Sequence, residues 1–209
     1  MTTTTLTPAA GRIVQLALQH FADRGYDAAS LNDIAVSAGI KKASLYAHFA
    51  SKDDLYTAVL NHALKSEQDY VSAQFAVPPN GQAPGERYID NLQRRYSDSC
   101  ALRFLLRAAF YPPATIEQSV KSGFEEYLAG IRARFQTSLE SAYPVVGQNV
   151  DLLAEAYLAL IDSLHVELIY GNDEGYLRRL DALRQLIKVV GVPLLTGVSR
   201  GVIRLADRV

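Results

Sequence analysis

The chain has 209 residues, of which 49% are hydrophobic and 21% charged, and its formal net charge is -1. This is enough apolar material for a real core, and the composition excludes a disordered or fibrous chain and any global pull toward polyanions. The single cysteine, Cys100, excludes an intrachain disulfide and a cysteine zinc cluster, and the four histidines His20, His48, His62 and His165 lack metal-ligand spacing, so no cofactor is expected.

The opening MTTTTLTPAA has no cationic start and no apolar segment of signal-peptide length, and residues 1–10 read as a flexible arm. The longest apolar run, Val189 to Val198, contains Gly191 and Pro193 and is far shorter than the ~20 apolar residues of a membrane span. A soluble, cytoplasmic protein is expected, with no membrane partner.

Apolar residues at helical spacing (Ile13, Val14, Ala17, Leu18, Phe21) predict a first helix from Gly11 to Arg24, closed by Gly25. Ser30, with Asp33 at the capping-box position, starts a short second helix that Gly39 ends. A third helical run, KASLYAHF, follows almost at once. Ser51, with Asp54 three positions on, then opens a long fourth helix that reaches toward Phe75. Two short helices joined by a tight glycine turn and steadied by a longer one have the sequence appearance of a helix-turn-helix.

AVPPNGQAPGE, Ala76 to Glu86, is a loop by composition. Beyond it every periodic segment is helical: Tyr88–Tyr96, Ala101–Phe110, Ile116–Ser141, Val150–Tyr170 and Tyr176–Val190, separated by YPP, AYPVVGQN and YGNDEG. The predicted fold is all-α. It has a helix-turn-helix domain at residues 11–56 and a larger helical domain at residues 57–209.

Placed at about 100° per residue, the third helix buries Leu45 and Phe49 and turns outward Ala43, Ser44 and Ala47, flanked by Tyr46 and His48. Small residues let a helix backbone approach base edges in a major groove, where an alanine methyl meets a thymine methyl and Ser44 can hydrogen-bond. Lys42, Tyr46 and His48 are placed to reach phosphates and set the register. Lys41 opposes the helix dipole from an N-terminal position, as does Lys52 in the first turn of the fourth helix. Both placements make sense beside a phosphate.

From Met1 to Leu55 five basic residues balance five aspartates, so the argument rests on placement rather than on total charge. The competing reading is an ordinary solvated edge of a small helical domain.

The segment Ile13 to Leu60, and within it DIAVSAGI, SLYAHF and SKDDLY, resembles the DNA-binding domain of the TetR family of transcriptional regulators. The resemblance implies that Ser30 caps the second helix near a phosphate. It also implies that Lys42, Ser44, Tyr46 and His48 lie on a recognition helix and that Lys52 grips backbone phosphate. Lys41 departs from the family pattern, standing where a serine or threonine cap is usual, and only Arg12 precedes Ile13 where several basic residues are common.

Family members usually act as homodimers joined through their last two long helices. A paired arrangement also suits a palindromic operator in double-stranded DNA. Leu153, Leu160, Leu164, Leu168, Leu180, Leu183 and Ile187 offer an apolar stripe for such a seam. The alternative is that this stripe packs inside the monomer.

The resemblance further implies a small-molecule effector enclosed by the middle helices, and Tyr88, Leu92, Tyr96, Phe104, Phe124, Tyr127, Tyr157 and His165 are lining candidates. Tyrosine-rich walls suit an apolar or aromatic ligand with a few polar groups. Arg103 and Arg107 would suit an acidic ligand, and Glu167 a cationic one. No phosphate loop, metal cluster or nucleophile elbow is present, so an enzyme is not expected. The reading is a ligand-responsive regulator, most readily a repressor; the alternative is a helical small-molecule-binding protein that keeps the fold without binding DNA.

Overall fold

A computed structural model describes residues 6–76, 82–143 and 150–195, without the side chains of 186 and 188–195. Among the described residues the regular elements are all helical. The helix-turn-helix comprises α1 (Pro8–Ala28), α2 (Leu31–Ser37) and α3 (Lys42–Tyr46), followed by the long α4 (Lys52–Phe75). Then come α5 (Glu86–Asp98), α6 (Cys100–Phe110), a 3-10 turn at Ala114–Ile116, α7 (Glu117–Ala142), α8 (Val150–Tyr170) and α9 (Asp173–Leu195). The expected loop Ala76 to Glu86 lies partly outside the described residues, at 77–81, and residues 1–5 of the expected arm lie outside them entirely.

α1 begins three residues earlier than its periodicity predicts, because Pro8 sits at the tolerant first position and the Thr7 hydroxyl accepts a hydrogen bond from Ala10 N at 3.2 Å. Gly25 interrupts the regular path as expected, with φ 75° and ψ 179°, and a short turn then carries the chain to Ala28. Ser30 caps α2 by accepting from Asn32 N and Asp33 N, but the Asp33 carboxylate does not close a capping box. It accepts instead from Arg24 Nη1 of α1 at 2.9 Å. At α4 Ser51 accepts from Asp54 N at 3.0 Å, while the Asp54 carboxylate reaches back to Ala50 N at 2.8 Å.

Two apolar cores form. The first joins α1–α4 through Ile13, Val14, Phe21, Ile34, Leu45, Phe49, Leu55 and Val59. The second joins α5, α7, α8 and α9 through Tyr88, Leu92, Tyr127, Ile131, Phe135, Tyr157, Ile161 and Leu180. α6 belongs to both: Ala101, Phe104, Leu105 and Ala108 face the first core, while Leu102 and Leu106 face the second. Phe104 lies against Tyr56 and Phe21, at centroid distances of 4.9 and 6.5 Å.

Polar ties reinforce this arrangement. Glu67 of α4 is fully buried, and Arg95 of α5 donates to it through Nη2 at 2.6 Å and Nε at 3.3 Å. The Ser99 hydroxyl adds a bond at 3.1 Å, and the Arg95 guanidinium lies 4.3 Å from the centre of the Tyr70 ring. A buried carboxylate stripped of its partner retains its full desolvation penalty. Arg95→Ala is therefore expected to cost about 3–5 kcal/mol in urea unfolding. The double variant Glu67→Leu with Arg95→Met, which removes both charges, is expected to lose far less; equal losses for the two variants would show that the pair's charges are not what matters.

Candidate nucleic-acid interface and effector core

The turn between α2 and α3 is built by Gly39. Its φ of 68° lets Gly39 N donate to Val36 O and Ile40 N to Ala35 O, each at 3.0 Å. These paired bonds satisfy the last carbonyls of α2 and redirect the chain in about two residues. α3 then starts at Lys41 with no side-chain cap, its first bonds being Ser44 N and Leu45 N to Lys41 O.

The regular helix ends at Tyr46 rather than Phe49. Ala47 N bonds to Ser44 O and His48 N to Leu45 O, so the last turn tightens before the Ser51 cap begins α4. The faces nevertheless fall as the periodicity predicts. Leu45 and Phe49 are 0% and 3% exposed and anchor the segment to the first core. Lys41, Lys42, Ala43, Ser44, Tyr46, Ala47 and His48 are all exposed.

On this face the Lys42 ammonium stands 5.9 Å from the centre of the Tyr46 ring, one turn away. The pair presents a cation and a phenol together at one edge of the small-residue strip. Ser30, as the α2 cap, is half-buried.

Lys52 is placed differently from the phosphate-gripping expectation. Its ammonium donates to Asp27 O at 3.3 Å and lies 4.4 Å from the centre of the Tyr26 ring, while the Tyr26 hydroxyl donates to Asp53. Burial and the Asp53 hydrogen bond push the Tyr26 phenol up to about 12. Lys52 thus ties the start of α4 to the end of α1. This long-range role had no local sequence signal, because Tyr26 and Asp27 are far from Lys52 in the chain.

Seven of the eight effector-lining candidates gather in or against the second core. Tyr88, Leu92, Tyr127, Tyr157 and His165 are buried there, with Tyr96 and Phe124 partly buried against it. Phe104 is the correction: it packs into the first core, on the opposite face of α6 from Leu102 and Leu106. Within the second core the Tyr88 and Tyr127 hydroxyls bond at 2.9 Å. The Tyr157 hydroxyl donates to Gly85 O at 3.0 Å while its ring stacks on Phe135 at 4.0 Å. Burial raises all three of these phenols well above their ordinary range.

Of the charged residues suited to ligand contact, Arg103 and Glu167 are engaged with other groups. Arg103 donates to the carbonyls of Tyr96 and Ser97 and to Cys100 Sγ. Arg107 is exposed, and its Nη1 lies 3.2 Å from the position a side chain at Gly25 would occupy. Both arginines therefore face α1. Glu167 pairs with Arg179 at 2.8 Å.

The predicted dimer stripe also turns inward. Leu164, Leu180 and Leu183 are buried in the second core, and Leu153, Leu160, Leu168 and Ile187 pack against it. α8 uses the buried part of that face to cover α5, α7 and α9, while Leu153, Leu160, Leu168 and Ile187 stay partly exposed. The apolar residues that α8 does expose are Leu152, Ala156, Ala159, Val166 and Tyr170.

The profile described as "Bacterial regulatory proteins, tetR family" matches residues 13–59. Over 50 residues the chain is 50% identical to the HTH-type transcriptional activator FasR of Mycolicibacterium smegmatis, covering 24% of this chain and 23% of that protein. Over 45 residues it is 51% identical to IcaR of Staphylococcus aureus, the negative transcriptional regulator of the biofilm operon icaADBC, covering 22% and 24% of the two. The match thus spans about a quarter of each of these relatives.

The fold as a whole is similar to that of a TetR regulator from Legionella pneumophila, with a TM-score of 0.62 at 21% identity over 90% of this chain and 99% of that one. A regulator from Aquifex aeolicus VF5 gives a TM-score of 0.61 at 20% identity over 87% and 99%. Those identities carry the fold, while the N-terminal match carries the sequence signature. The N-terminal helix-turn-helix segment thus carries the tetR-family sequence signature, and the chain as a whole shares its fold with these solved regulators.

Proposed function

We propose that the chain is a ligand-responsive transcriptional regulator that binds a palindromic operator as a homodimer and is released by a small-molecule effector. The observation that carries this reading is the exposed strip of Ala43, Ser44 and Ala47, edged by Lys42, Tyr46 and His48 and held in place by buried Leu45 and Phe49. Such a strip fits a major groove: the small residues approach base edges while the edge groups meet phosphates. Similarity extends to an activator and to a negative regulator alike. Release by an effector, as in a repressor, is the sign proposed for this chain.

Dimerisation is assigned to the outer face of α8. Leu152, Ala156, Ala159, Val166 and Tyr170 recur at steps of four, three, seven and four, the spacing of a helix–helix seam. Leu152 is 68% and Tyr170 55% exposed, and Leu177 of α9 adds a further exposed leucine. The alanines at the middle of the stripe allow two helices to approach closely, and the apolar ends supply buried area.

Effector binding in the second core is coupled to the reader through α4 and α6, which both cores share. A ligand that favours one setting of α6 changes the placement of α1 and with it the spacing of the paired α3 helices. Coupling of this kind requires differential affinity for the two settings.

Fluorescence polarisation with the promoter DNA beside the chain's own gene, at two salt concentrations, tests the reader. Binding is expected to weaken steeply with salt, Lys42→Ala to lower the slope by about one phosphate's share, and Ala43→Glu to abolish specific binding. Absence of salt-sensitive binding by the wild type would point instead to a helical ligand-binding protein that does not read DNA, and unchanged affinity in both variants would place the DNA contact on another surface. Val166→Glu, at an exposed position, is expected to convert the dimer to monomer in light scattering without loss of helicity; a dimer that persists would place the seam elsewhere.

A further inference from the structure

His165 of α8 is 1% exposed, and among the described residues neither of its ring nitrogens has a hydrogen-bond partner. A buried polar group without a partner is costly and calls for a reason. The nearest charge is Asp162, one turn back on α8, whose Oδ1 lies 3.7 Å from Nδ1. That is too long for a hydrogen bond, yet close enough for the carboxylate to favour the tautomer that carries its proton on Nδ1. Nε2 is then a bare acceptor inside the effector core.

Apart from the Asp162 carboxylate, the ring's neighbours are aromatic. Phe124 of α7 lies 6.4 Å from the His165 ring, and Tyr127 lies 5.8 Å beyond Phe124. The buried charge nearby is matched, Glu67 being held by Arg95, while Glu167 is paired with Arg179. Arg103 and Arg107 lie on the α1 side of α6. An anionic ligand would enter this core beside the Asp162 carboxylate with no free counter-charge, and a cationic one would meet only that half-exposed, solvent-screened carboxylate, each at a large desolvation penalty.

Resting on the regulatory reading above, we propose that the effector is an uncharged aromatic molecule with a hydroxyl group that donates a hydrogen bond to His165 Nε2, its ring packed against Phe124. Phe124, only partly buried, is the side chain that moves aside to admit it. The Tyr88–Tyr127 hydroxyl pair offers a second polar contact deeper in the core.

Three probes of nearly one shape separate the possibilities: para-cresol, para-xylene and para-toluate, titrated calorimetrically into the full-length protein. Cresol is expected to bind about tenfold tighter than xylene, the value of one well-made hydrogen bond at a desolvated site, and toluate weakest of the three. The preference for cresol is expected to vanish in His165→Phe and to survive in His165→Gln, which keeps an acceptor. In wild-type protein labelled with 15N-histidine, cresol but not xylene is expected to shift the His165 Nε2 resonance, a readout that requires no variant to fold.

Equal binding of cresol and xylene, tighter binding of toluate, failure of all three to bind, or a preference retained in His165→Phe would each overturn the assignment. Operator binding by the ligand-free protein is measured alongside. Its absence would sink the regulatory reading, whereas intact operator binding with no cresol preference would sink the ligand assignment alone.

Discussion

The structure depends on a helix that must be covered on two sides. α6 carries Ala101, Phe104, Leu105 and Ala108 on one face and Leu102 and Leu106 on another, and all six are buried. A helix apolar nearly all round cannot rest on one layer. It draws the reader domain onto one flank and the tyrosine-rich helices onto the other, so the two cores share a wall. At that wall Phe104 meets Phe21 and Tyr56, which makes the junction itself part of the packed interior.

This sharing gives the proposed signal a short physical route. Close-packed interiors do not deform smoothly, and a change on one face of α6 has to be accommodated on the other. α4 runs alongside and is held to the α5–α6 junction by Glu67, Arg95 and Ser99. Lys52, drawn back onto Asp27 and Tyr26, fastens the start of the same helix to α1. The contacts that orient α3 are thus linked through α1 and α4 to the helices that enclose His165.

The polar chemistry divides along the same line. At the reader surface Lys42 and Tyr46 remain exposed beside a strip of small residues, as suits a surface that meets a charged, hydrated partner. Inside, the carboxylate of Glu67 is paired with Arg95, the Tyr88 and Tyr127 hydroxyls bond to each other and that of Tyr157 to backbone, while the Tyr176 hydroxyl has no partner among the described residues. His165 stands out because both of its buried ring nitrogens lack a partner, and this is why it carries the proposed ligand assignment.

Local information in the sequence was sufficient for the helix-turn-helix layout. Ser30, Gly39 and Ser51 mark helix ends by short-range hydrogen bonds and backbone preference, and the Leu45–Phe49 spacing assigns the buried side of α3 over a single turn. The helical layout beyond Phe75 was legible for the same reason, since periodicity and Pro-Gly breaks act within a few residues. What the sequence could not assign was which neighbour each apolar stripe would meet. Phe104 went to the first core rather than the second, Leu164 and Leu183 are buried in the second core, and Lys52 found Asp27. Those outcomes are decided by contacts between residues far apart in the chain, and helical periodicity specifies only that a face is buried, not what buries it.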